Sequence, residues 1–104
     1  MIPVMCIVQE GQVSKAAERA LKSEIGGFTR RAFNAPAEID WIVVPTGSGF
    51  TAARPSTTVI ASLHANRDLA EAERVSLLRQ LADICMRQTG RSAHEVVTSI
   101  RNPS

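Results

Sequence analysis

Few side chains in this sequence have both the type and the position to do chemistry. Pro3 is the sharpest case, at the head of the apolar run MIPVMCIVQEG. A proline whose nitrogen is a free N-terminus is a secondary amine that can take and return a proton. The same nitrogen acylated by Ile2 is an amide without that basicity. Near an apolar wall and cationic neighbours, a free amine has its charged form disfavoured and moves towards working pH. Methionine removal generally needs a small second residue, and Ile2 is not small. Pro3 therefore becomes an acid/base only where Met1 and Ile2 are both lost; otherwise it is a strand-initiating proline that lacks a ladder donor. Arg54 and Phe50 lie in the turn-rich segment PTGSGFTAARPS. From there a guanidinium could reach a bound acid and an aromatic ring could wall a pocket.

The other chemically capable residues read as structural. His64 ends a predicted strand and His94 sits in a turn, and neither has an acid, nucleophile or second histidine at triad spacing. Cys6 and Cys85 stand far apart with no metal-ligand spacing, as buried small hydrophobes in a reducing cytosol. The glycine pair Gly47 and Gly49 is too weak a pattern for a phosphate loop. No metal and no cofactor are expected.

The elements that must carry these residues fit one domain of 104 residues. Hydrophobic residues are 44% and charged residues 21%, a globular balance. A net charge of +2, interspersed, leaves no footprint for nucleic acid, and three Phe, one Trp and no Tyr argue against a base-stacking surface. No run approaches the ~20 apolar residues of a membrane span, and the start lacks signal-peptide features. A cytoplasmic domain without membrane or nucleic-acid partners is expected.

Pro3–Val8 reads as a strand covered on both faces. Ser14 can cap a helix to about Phe33, with Ala17, Ala20, Leu21, Ile25, Phe28 and Ala32 in period. Gly26-Gly27 inside it predicts a close backbone approach or a kink. Pro36 ends the helix, and Glu38–Val44 and Thr57–His64 read as strands. Asp68 and Glu71 form a candidate capping box for a helix to about Gln88, with Val75, Leu78, Leu81, Ala82 and Cys85 in period. Gly90 suits the C′ position, and Glu95–Ile100 reads as the last strand. The order is βαβ twice, about 3–45 and 57–101, and the halves echo each other at Leu21/Leu78, Lys22/Arg79, Arg30/Arg87, Glu38/Glu95 and Ile39/Val96. Right-handed crossovers place both helices on one face of a four-stranded sheet, an α/β (α+β) fold. The opposite face then needs cover from an oligomer.

With its βαβ–βαβ order, PVMCIV first strand and the segment IDWIVVPTGSGFTAARPSTTVIASLHANRDLAEAERVSLLRQLADI, the chain resembles the tautomerase superfamily. That superfamily includes 4-oxalocrotonate tautomerase and cis-3-chloroacrylic acid dehalogenase, and the chain looks most like its longer, fused members, which carry both units in one chain. The resemblance implies a homotrimer acting on small 2-oxo or unsaturated carboxylates by proline-mediated proton transfer. It assigns Pro3 as the catalytic residue. Arg67 matches the family's Gly-Arg-Ser/Thr turn, where a guanidinium beside a helix N-terminus makes a carboxylate site. Gln12 stands in the equivalent turn of the first unit, where one-unit members carry an arginine, and can hydrogen-bond a carboxylate without supplying charge. Thr29 and Ser99 replace the histidine and tyrosine of the dehalogenases, so dehalogenation is not expected. The alternative is a trimeric homologue that binds a small acid or a protein partner without catalysis.

Overall fold

The computed structural model describes residues 1–103. The chain runs through β1 (Ile2–Gln9), α1 (Lys15–Phe33), β2 (Ala37–Val44), a short hairpin of β3 (Gly49–Thr51) and β4 (Arg54–Ser56), then β5 (Val59–His64), α2 (Glu71–Thr89) and β6 (Val96–Arg101). The result is an α+β fold whose mixed four-stranded sheet is ordered β2-β1-β5-β6. β1 and β2 are parallel, β5 and β6 are parallel, and β1 meets β5 antiparallel at the centre. A right-twisted strand feeding a helix returns to its sheet by a right-handed crossover. Two such crossovers, reversed about the central antiparallel pair, put both helices on one face. Ile2, Val4, Cys6, Ala61, Leu63 and Ile100 point into the core formed there with α1 and α2.

Both helices bury the same pattern. α1 inserts Leu21, Ile25, Phe28 and Thr29, and α2 inserts Leu77, Leu81, Ile84 and Cys85. The internal echo is therefore one residue out of phase in the helices, because Leu77 rather than Leu78 matches Leu21. Val75, expected inside, is 42% exposed. At the start of α1 the Ser14 hydroxyl accepts from Ala17 N–H at 3.1 Å, and at its end Asn34 turns left-handed at φ 54°. The capping box expected at Asp68 does not form. α2 begins three residues later, after Ala70 and with no side-chain cap. Leu69 is buried in the core instead, and its N–H donates to Asn102 Oδ1 at 3.3 Å, which keeps that backbone out of the helix. Gly90, at φ 71°, closes α2 with its N–H on Met86 O.

Gly26 and Gly27 mark neither a close approach nor a break. α1 is continuous through them, and a Cβ at Gly26 would meet nothing within 4 Å. The segment read only as turns holds the β3–β4 hairpin, whose two loop residues, Ala52 and Ala53, both have positive φ, 52° and 62°. Gln9 ties this hairpin to the sheet: its Nε2 donates to Ser56 O at 2.8 Å and its Oε1 accepts from Gly47 N–H at 3.1 Å. Gly49 lies so close that a Cβ would stand 2.5 Å from Gln9 Nε2 and 2.7 Å from Ser56 O, so a larger residue would break this junction.

Candidate functional site

Strand alternation sends every second side chain to the face away from the helices. Because β1–β2 and β5–β6 are in parallel register and β1–β5 antiparallel, those outward side chains fall into three cross-sheet rows. Glu38 lies beside Pro3 on β2, and Arg101 beside His64 on β6. One step beyond the Val4–Leu63 pair, His64 comes next to Pro3. The first row is therefore Glu38, Pro3, His64, Arg101. The second is Asp40, Met5, Ser62, Ser99, and the third is Ile42, Ile7, Ile60, Val97. The first two rows form a cleft of about 480 Å³ lined by Pro3, Met5, Glu38, Asp40, Ser62, His64 and Arg101.

Charge in this cleft is segregated. Two carboxylates stand on the β2 side, and the imidazole and guanidinium stand on the β5–β6 side. Among the described residues, the guanidinium of Arg101 makes no ion pair and the ring of His64 accepts or donates no hydrogen bond. Adjacent strands are ~4.8 Å apart, so Pro3 and Arg101 sit about 10 Å apart across His64. A small carboxylate spans that distance.

Pro3 lies exposed on the open face of β1, whose burial alternates instead of covering both faces as the sequence suggested; pairing with β5 starts at Val4, so the missing N–H costs no hydrogen bond there. Its neighbour faces the other way. Ile2 is 0% exposed in the core, and its N–H donates to Pro36 O at 2.8 Å. In this chain the Pro3 nitrogen is an amide.

The other assigned residues lie elsewhere. Arg67 is at the same end of the sheet but on the helix side. Its Nη1 and Nη2 donate to the two oxygens of Glu73 at 3.0 and 2.9 Å, Nη2 also reaches Ala32 O, and the group stacks over the Phe33 ring. That pairing holds the Glu73 carboxyl below its usual range. Gln12 accepts from Gln9 N–H and donates to Thr57 O, which uses both ends of its amide. Gln12, Phe50 and Arg54 belong to the far end of β1. Gln9 lies six positions beyond Pro3, ~20 Å of strand. No single chain brings these three to Pro3. Phe50 is 67% exposed at the hairpin.

Sequence reasoning missed Arg101, Ser62, Glu38 and Asp40, and took His64 as structural. The parity of β2, β5 and β6 was available to find them. Their alignment with Pro3 needed the register between strands distant in sequence. Cys6 and Cys85 are buried and unpaired, and burial pushes their thiols up to about 11 and about 12, so neither serves as a thiolate nucleophile. Among the described residues no group of three His, Cys, Asp or Glu side chains could hold a metal ion, and no helix is long and apolar enough to cross a membrane.

No protein-family model and no curated protein matches the chain. Solved structures do. The crystal structure of native Ps01740 is 25% identical, with a TM-score of 0.86 over 97% of this chain and 93% of that one. Pt0534 inactivated by 2-oxo-3-pentynoate is 18% identical, with a TM-score of 0.82 over 97% and 85%. A fused 4-OT in a symmetric trimer is 12% identical, with a TM-score of 0.84 over 97% and 85%.

Proposed function

We propose that this chain, which has the two-unit fold of the tautomerase superfamily, is a small cytoplasmic tautomerase acting on 2-oxo or unsaturated carboxylates in the Pro3 cleft. The observation that carries this is the placement of Pro3 on the open face of β1, in one cleft with a guanidinium and an imidazole. With Met1 and Ile2 removed, the Pro3 amine takes a proton from the carbon beside a substrate carbonyl and returns it elsewhere, interconverting keto and enol forms. A guanidinium holds the substrate carboxylate. The inactivation of Pt0534, a protein of the same fold, by a 2-oxo acid supports this substrate class.

A homotrimer is part of the proposal. Ile42, Ile7, Ile60 and Val97 leave an apolar row on the open sheet face, and a fused 4-OT of the same fold forms a symmetric trimer. In such an assembly Arg54 and Phe50 serve the cleft of a neighbouring subunit, and Gln12 does so only when its bonds to Gln9 and Thr57 open. Arg67 serves as a carboxylate anchor only when its bidentate contact with Glu73 opens. Each of the two βαβ units, about 3–45 and 57–101, supplies one half of the domain.

The burial of Ile2 favours a second reading. A chain that keeps Ile2 has no amine at Pro3, and its cleft binds a small acid without that chemistry. Intact mass of protein from its host, run beside an enol-to-keto assay with phenylpyruvate, tests both. A mass short by Met and Ile, with turnover lost in Pro3→Ala, supports the amine mechanism. A full-length mass with no turnover leaves the binding protein.

A further inference from the structure

The geometry points to His64 as the group that moves the proton, and Arg101 as the anchor of the substrate carboxylate, in the chain that retains Ile2. The inference rests on the reading that the Pro3 cleft takes small 2-oxo carboxylates, and it assigns that chemistry to residues other than the proline nitrogen.

Three observations carry it. First, the nitrogen of Pro3 is committed to a peptide bond whose acyl residue, Ile2, is locked in the core. Second, the next side chain in the same row is an imidazole, the ordinary acid-base group at neutral pH, and no protein group occupies its ring nitrogens among the described residues. Third, Arg101 follows in that row, and among the described residues it makes no ion pair with a carboxylate. A carboxylate bound to Arg101 on β6 carries its second and third carbons one strand spacing inward, ~4.8 Å, over His64 on β5. Ser62, two residues back along β5, offers a hydroxyl to the oxygen that becomes an enolate.

The balance is simple. The imidazole nitrogen takes a proton from carbon 3, and the C–H electron pair forms the C2–C3 double bond as the carbonyl oxygen becomes the enolate. The imidazolium then gives that proton to the oxygen, which restores the neutral ring and leaves the enol. Ketonisation is the reverse, with the imidazolium protonating carbon 3, and no oxidant or co-reactant enters. The charged groups facing His64 are Arg101 from β6 and Glu38 and Asp40 from β2, while β1 contributes none. Both carboxylates stand opposite Arg101, so the cleft accepts one carboxylate and repels a second. The substrate class is therefore a 2-oxo monocarboxylate with an uncharged, hydrogen-bond-donating or cationic distal end.

The test uses the full-length chain with Met1 and Ile2 verified by intact mass, and phenylpyruvate as the probe. The expected result is ketonisation by this form that falls ~10²–10⁴-fold in His64→Gln. In Arg101→Gln, KM rises ~10–100-fold, the worth of a hydrogen bond to a charged group. Titration with phenylpyruvate shifts the His64 ring protons in wild type and not in Arg101→Gln. Full-length turnover unchanged by His64→Gln overturns the assignment and leaves the proposed function standing. Turnover confined to a form lacking Met1 and Ile2 does the same. Absence of turnover in both forms overturns both.

Discussion

Deleting Met1 and Ile2 both frees the Pro3 nitrogen and empties a core position, and the size of the second effect decides how readily the first occurs. Ile2 is fully buried in the core between the sheet and the helices. Emptying a buried isoleucine site costs about 3 kcal/mol, within the range for large-to-small core changes. Losing the Ile2 N–H bond to Pro36 O adds about 1 kcal/mol. At ~2.1 cal/mol/K per residue, the 104 residues have an unfolding entropy of about 0.22 kcal/mol/K. A loss of about 4 kcal/mol then lowers Tm by ~18 °C. Ile2→Ala, which keeps the backbone donor, lowers it by ~14 °C, and the difference between the two variants isolates the hydrogen bond. Differential scanning calorimetry at matched protein concentration reads both. A truncated protein melting within ~5 °C of the full chain, about 1 kcal/mol on the same entropy, would refute the reasoning and show that the proline can be exposed at little structural cost.

The hairpin loop holds Ala52 and Ala53 at φ 52° and 62°, a conformation that disfavours residues with a Cβ. Replacing the pair by Asn-Gly, the residues a type I′ turn prefers, raises stability by about 1 kcal/mol and Tm by ~4–5 °C, and a fall in Tm would show that the hairpin does not take this turn. Glu95 accepts from the Thr57 hydroxyl first, then from Ser92 N–H and Ser92 Oγ, which holds its carboxyl below the usual 4.5. A depressed carboxylate stabilises the fold above its unfolded pKa and loses that contribution as pH falls through the folded value. The Tm advantage of wild type over Glu95→Gln is therefore constant above pH ~5 and shrinks below 4.5, as melting curves from pH 3 to 7 will show.

Much of the fold was legible because it is written in local patterns. Ser14, Asn34-Ala35-Pro36 and Gly90 mark three helix ends through chemistry confined to one turn each. The fourth end was misread because Asp68 has the right type for a cap. What moved the start of α2 to Glu71 was Asn102, thirty-three residues from the Leu69 N–H it receives. The hairpin was hidden for a similar reason. Its strands are three residues long, and the contacts that hold them come from Gln9, far back in the chain.

By itself the sequence determined the order of the two helices and the four strands of the main sheet, the parity of each of those strands, and the chemical identity of Pro3, because these depend on side-chain type and spacing of two to four residues. Only the tertiary structure decided that Gln12, Phe50 and Arg54 stand a strand's length from Pro3, while Glu38, His64 and Arg101 share its row. It also decided that Ile2 faces inward. A one-residue slip in strand register turns every side chain to the opposite face. That register is set by the packing of two helices against one side of the sheet, an interaction between residues far apart in the chain.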